Sequence, residues 1–165
     1  MTSRFSLYIF SALLVACAIL VVTSSGNLPD NVAIHFNAKN DADAWISRDQ
    51  YRVLILLFII GLPMLLVWMM ACLPRLTGGK GQIPDYEYWF ASERRGATEQ
   101  FLFGHACWLG AITVATIYGI HIALQRANAM TPATLATDQL STILLIFICG
   151  LGWWIASFLR HFRRD

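Results

Sequence analysis

Charge is scarce in this sequence. Of its 165 residues only 13% are Asp, Glu, Lys or Arg, while 57% are hydrophobic; an ordinary soluble domain carries about twice that share of charge. The deficit is concentrated in four stretches, Phe5–Thr23, Val53–Leu73, Phe101–Leu124 and Leu140–Leu159, which hold no charged residue at all. Each is about 20 residues long, enough at ~1.5 Å per residue to cross a ~30 Å hydrocarbon layer as a helix. Inside a membrane the backbone must satisfy its own hydrogen bonds, and a continuous apolar helix does so. The expected fold is all-α: an integral membrane four-helix bundle forming a single domain over 1–165. Its helices are expected at about 5–23, 52–73, 100–124 and 138–160, with a short extracytoplasmic polar cap between the first two.

Other absences exclude functions. The four cysteines form no CxxC pair, so neither a zinc knuckle nor a redox motif is indicated, and they read as small buried hydrophobes. HExxH and GxSxG are both missing, and no Ser or Cys has a His at a telling position; a non-enzymatic protein without a cofactor is expected. No basic run interleaves with aromatic residues, which argues against nucleic acid as a partner. The centres of the apolar runs lack the charged sites that transporters and pumps need, apart from a proline, Pro63. Internal repeats and low-complexity tracts are absent.

The basic residues give an orientation. With four spans, Arg4, Arg75, Lys80, Arg94, Arg95, Arg160, Arg163 and Arg164 share one side, and Lys39, Arg48, Arg52 and Arg126 the other. Basic residues favour the cytoplasmic face, so both termini of this multi-pass protein are expected there. The first run has small residues, Thr23-Ser24-Ser25, after it, but its apolar core exceeds the ~7–15 residues of a signal peptide, and it is read as a retained helix.

The polar stretch after that first run has its own pattern. Val32, Ile34 and Phe36 alternate with Ala33, His35 and Asn37, the period of a short strand with one apolar face. "NAKND" (37–41) reads as a turn. In Ser47-Arg48-Asp49-Gln50, Ser47 and Gln50 are spaced as a capping box with Ile46 and Tyr51 as its hydrophobic staple, so helix two begins near Arg48. Further on, Pro63 predicts a kink in mid-span and Pro74 the helix end. "TGGKGQ" (77–82) has the composition of a flexible linker, and Thr131-Pro132 fits the start of helix four as N-cap and first helical residue.

Few residues offer chemistry. His35, Asp41 and Asp43 could contribute to a metal site, with His121 approaching from helix three; the plainer reading is a polar loop in which His35 hydrogen-bonds an acid and Trp45 lies at the lipid boundary. His105 and His121 are sixteen residues apart in one helix, about 24 Å along its axis, and cannot share a site. Each is either an intramembrane functional group or one end of an interhelical hydrogen bond. Glu93, Arg94 and Arg95 read as anchoring with one local ion pair.

Two segments resemble a family. "LPDNVAIHFNAKNDADAW" (28–45) is similar to the signature of a bacterial membrane domain of unknown function, Leu-Pro, then His-Phe-Asn, a Gly-containing turn and Asp-Gly-Trp; that domain is also found in the SdpI-like immunity proteins. "IPDYEYWFASERR" (83–95) is similar to a Pro-Asn-x-x-Tyr-Trp-x-x-x-Glu-Arg-Arg segment that follows helix two in the same proteins. Carried over, the matching positions are Pro29, His35, Phe36, Asn37, Asp43 and Trp45 on the extracytoplasmic side, and Pro84, Tyr88, Trp89, Glu93, Arg94 and Arg95 on the cytoplasmic side. Asn40 stands where the family has its turn glycine, and Ala44 where it has the glycine before Trp. The resemblance implies an immunity or sensing role: a protein of the lipid bilayer that binds a peptide, lipid or membrane-protein partner through its outer loop. A small accessory subunit, or homo-oligomer, packing through Gly104, Gly110 and Gly119 is the second expectation. A metal-dependent membrane enzyme using His35, Asp43 and His121 is the third.

Overall fold

The computed structural model describes residues 3–163, so Arg164 of the basic set above lies outside the described residues. The chain runs from α1 (Ser3–Ser24) through a 3-10 turn (Ser25–Asn27) into a hairpin of β1 (Asn31–Phe36) and β2 (Ala42–Ser47). It continues through α2 (Arg48–Leu56), a π turn (Leu57–Gly61) and α3 (Leu62–Thr77), then a short α4 (Tyr86–Trp89), a long α5 (Arg95–Asn128) and α6 (Thr137–Phe162). Four helical stretches, Ser3–Asn27, Arg48–Thr77, Arg95–Asn128 and Thr137–Phe162, are long and apolar enough to cross a membrane. The protein is mostly helical, with the antiparallel hairpin as an addition to the all-α expectation. The alternation at Val32, Ile34 and Phe36 finds its partner in β2, a strand that the sequence pattern does not mark.

Helix α5 is the hub, packing against α1, α3 and α6. Apolar side chains are no better off against one another than against lipid, so close fit has to hold such helices together. The fit here is built on glycine. A Cβ at Gly110 would lie 2.7 Å from Phe10 Cε2 and 2.9 Å from Val67 Cγ2, at the point where α1 and α3 converge on α5. Gly104 faces Ser3 and Ser6 of α1, and Gly119 faces Ile143 of α6. All three glycines therefore face other helices of the same chain. The core they close includes Phe10, Cys17, Val21, Ile55, Ile59, Cys107 and Val114.

The bundle is uneven. α1, α2–α3 and α5 form a three-helix body, whereas α6 makes its main helix contacts with α5 alone and keeps its other faces exposed.

Two sequence expectations need correction at the helix ends, those at Pro74 and at Thr131-Pro132. Pro63 is accommodated by the π turn just before it, whose wider ladder opens where the proline ring would meet the Ile59 carbonyl. Pro74 does not end α3, which runs on to Thr77. Gly78, at φ 63°, ends it, and Gly79 N–H returns to the Pro74 carbonyl at 2.9 Å. Thr131-Pro132 does not start α6, which begins at Thr137, because the preceding segment is drawn onto the hairpin: Thr134 bridges Asp41, and Leu135 N–H donates to the Asn40 carbonyl at 3.1 Å.

The "TGGKGQ" segment is folded as tight turns and does not form a loose linker. Gln82 and Ile83 N–H both donate to the Gly79 carbonyl, and Ile83 is buried with Leu102 and Phe162 in a second small core.

Candidate functional site

The hairpin is organised by Asn37. Its side-chain Oδ1 accepts from Lys39 N–H at 2.8 Å and Asp41 N–H at 3.1 Å, while its backbone pairs with Asn40 and Asp41. Asn40 takes the left-handed backbone (φ 65°), a conformation that Asn tolerates. Ala44 has no positive φ and sits in β2, so its side chain is accommodated there. With the turn set, one face of the hairpin turns inward: Val32 is fully buried, and Ile34 and Ile46 pack on the main core. The opposite face presents His35, Asp43 and Trp45. His35 Nδ1 pairs with Asp43 across the strands, the two side chains being 68% and 43% exposed, and Trp45 is 53% exposed beside them. Phe36 is half-buried opposite Ala42, and Pro29 is exposed just ahead of β1. Of the outer motif, then, Asn37 builds the turn while His35, Asp43 and Trp45 form its accessible surface.

Below the hairpin lies a buried polar knot. His121, fully buried, meets Tyr51 Oη at 2.7 Å through Nδ1 and Ser24 Oγ at 2.9 Å through Nε2. The Ser24 hydroxyl donates to the Leu20 carbonyl, so it accepts from His121 Nε2–H, and His121 Nδ1 accepts in turn from the Tyr51 hydroxyl. This assigns the neutral Nε2–H tautomer and joins α1, α2 and α5. Both imidazole nitrogens are thereby used, so His121 has none left for a metal. Asp41 is committed through its backbone to the turn and to Thr134. Among the described residues no three His, Cys, Asp or Glu side chains come together as a cation site, so His35, Asp41, Asp43 and His121 are not assembled into one. The capping box at Ser47 and Gln50 forms as the spacing predicts.

Asn128, at the end of α5, escaped sequence reading. Its Oδ1 accepts from Ala33 N–H at 2.7 Å and its Nδ2 donates to the Ala33 carbonyl at 3.0 Å, so one side chain clasps both polar groups of a fully buried strand residue. Asn128 lies seven residues after His121, on the same helical face, but that spacing alone does not single it out. Arg48 adds a further tie, pairing with Asp30 and donating to the Gly26 carbonyl, and Arg52 Nε donates to buried Ser25 Oγ at 3.0 Å.

The second motif lies at the other end of α5. Arg94 sits over the Tyr88 ring at 3.9 Å and donates to the Tyr88 carbonyl at 2.8 Å. Thr98 Oγ1 donates to the Trp89 carbonyl at 2.8 Å, locking α4 onto α5. Trp89 meets Phe162 edge-on and His161 at a tilt, tying in the end of α6, and its Nε1 has no hydrogen-bond partner among the described residues. Arg95 pairs with Glu99, which also meets Arg75 of α3 at 3.4 Å. The local ion pair therefore falls to Glu99. Glu93 stays exposed, its carboxyl held below the usual range by its own backbone N–H, the Ser92 hydroxyl and the Arg94 charge. Pro84 is exposed ahead of α4. His105, between the two ends, makes the interhelical alternative real: its Nε2 donates to the Trp154 carbonyl at 3.0 Å and Trp154 Nε1 donates back to the His105 carbonyl at 2.9 Å.

Fold and site together define a multi-pass membrane architecture with an ordered hairpin at one end and a folded aromatic–charged segment at the other. A family model described as a domain of unknown function, DUF1648, matches residues 12–61, from within α1 through the hairpin to the π turn. That stretch contains the whole outer motif and none of the 83–95 segment. No curated protein and no solved structure matches the chain.

Proposed function

We propose that this is a non-enzymatic, SdpI-like sensing protein of the bacterial cytoplasmic membrane. Its termini face the cytoplasm, and it binds a peptide, lipid or protein partner at the extracytoplasmic face formed by His35, Asp43 and Trp45. The supporting observation is that both motif segments are fastened to one helix. Asn128 and His121 hold the hairpin end to α5, and Thr98 and Glu99 hold the segment at the other end. A helix of 34 residues is about 51 Å long and moves largely as a unit. Binding outside can bias the inner segment only if the ligand prefers one of two helix arrangements. The π turn ahead of Pro63 is where the backbone is already interrupted and such arrangements can differ.

The test is a photo-crosslinking amino acid in place of Trp45, used in native membranes with mass spectrometry of the adducts. One adduct species that is lost in both His35→Ala and Asp43→Asn, at normal protein levels, supports the reading. An adduct profile indifferent to both substitutions overturns it.

A further inference from the structure

The antiparallel pairing of α5 and α6 leaves a groove between them. Gly150 faces Ile112, Gly119 faces Ile143, and the same register carried one helical step further brings Arg126 level with Asp138. Along α5 the groove follows 112, 115, 116, 119, 123 and 126, a single stripe at helical spacing. Its middle is apolar, about 380 Å³, lined by Ile112, Ala115, Gly119, Ile143, Phe147 and Gly150. It runs without a break into a second section whose wall carries Arg126, Asp138 and Gln139, with Gly119 and Ile143 shared between the two. The Arg126 and Asp138 side chains are both exposed, and neither makes a hydrogen bond or ion pair among the described residues, with each other or with anything else.

An unpaired cation and an unpaired anion at the mouth of one apolar channel are complementary to a molecule bearing both charges beside a hydrocarbon tail. We infer that the α5–α6 groove is a specific site for a glycerophospholipid with a primary ammonium headgroup. One acyl chain lies along Ala115 and Gly119, the phosphate on Arg126 and the ammonium on Asp138. Arginine matches a phosphate with paired donors, and a primary ammonium offers N–H donors to a carboxylate that a quaternary ammonium lacks. This site is separate from the hairpin face and does not depend on what that face binds.

The experiment is native mass spectrometry of the whole protein, purified in a mild detergent and titrated with phosphatidylethanolamine, phosphatidylcholine and phosphatidylglycerol of identical acyl chains. Phosphatidylethanolamine is expected to bind one per chain and at least about tenfold more tightly than the other two, with Arg126→Gln and Asp138→Asn each weakening it about tenfold. Ala115→Phe, which fills the groove from an exposed position, is expected to abolish the bound lipid. Equal binding of the three lipids, or indifference to both charge substitutions, overturns the site. Phosphatidylglycerol bound as tightly as phosphatidylethanolamine, with sensitivity to Arg126 alone, overturns the ammonium half and with it the proposal. Should Ala115→Phe fail to accumulate, the two charge variants decide the matter, because their exposed side chains make no hydrogen bond or ion pair among the described residues.

Discussion

The two ends of α5 are held by different balances of force. At the hairpin end the ties are short, directional hydrogen bonds to buried groups: Asn128 on both polar groups of Ala33, and His121 between Tyr51 and Ser24. At the other end two hydrogen bonds, from Thr98 to the Trp89 carbonyl and from Arg94 to the Tyr88 carbonyl, are joined by aromatic contacts and half-exposed charges, with Trp89 against Phe162, Arg94 over Tyr88, and Glu99 between Arg75 and Arg95. Directional bonds to groups that water cannot reach fix one register, because any slip leaves a buried donor or acceptor orphaned. Stacking and solvated ion pairs tolerate small displacements. The hairpin end therefore has more of its register fixed by buried hydrogen bonds, and the other end relies more on contacts that tolerate displacement.

The comparison is broken most severely at His121. His121→Ala removes a fully buried ring, leaves a cavity, and strands the Tyr51 hydroxyl inside the bundle; a loss of about 3 kcal/mol is expected in mixed-micelle unfolding. Tyr51→Phe removes one bond and leaves His121 Nδ1 without its donor, and the expected cost is about 1 kcal/mol, in the range of interhelical hydrogen bonds in membranes. A His121→Ala effect under about 1 kcal/mol would mean that the knot is not what holds α1, α2 and α5 at this end.

The next largest effect sets the two ends against each other directly. Asn128→Ala orphans the N–H and carbonyl of buried Ala33 and is expected to cost about 2 kcal/mol, whereas Thr98→Val removes one bond to a Trp89 carbonyl and is expected to cost about 1 kcal/mol or less. Amide exchange sharpens the contrast. Asn128→Ala should accelerate exchange throughout 31–47 while leaving 83–95 unchanged, and Thr98→Val should do the reverse. If either substitution loosens both ends equally, the ends are one cooperative unit and the contrast fails.

How much of this could be read from the sequence follows the same division. Local signals were legible: uncharged runs gave the spans, the Ser47–Gln50 spacing gave the start of α2, and the 32–36 alternation gave a strand. What escaped was mostly non-local. Residues 131–135 look like a helix start because the draw of the hairpin on Thr134 and Leu135 acts across more than ninety residues. Pro74 looks like a stop, but the local glycine signal at Gly78 is the one that closes the helix. Gly104, Gly110 and Gly119 are as suited to a partner's helix as to α1, α3 and α6, and only the tertiary fold decides between them. At the site, the expected hydrogen bond between His35 and an acid is present, to Asp43, while Asn128 is not legible because a single Asn near a helix end carries no distinctive pattern.

The smallest expected effect is the one that best separates function from fold. His35 and Asp43 face outward, and an exposed ion pair contributes little, so His35→Ala and Asp43→Asn should each alter unfolding by less than about 0.5 kcal/mol. The hairpin keeps its turn through Asn37 and its inward face through Val32 in either variant. A loss above about 1.5 kcal/mol would place the pair among the groups that build the hairpin, beyond what solvated pairs supply. Stability left intact, together with a lost adduct at position 45, would instead assign these side chains to recognition. The hydrogen-bonded hairpin end would then be there to hold two inexpensive, exposed groups in one fixed relation to Trp45.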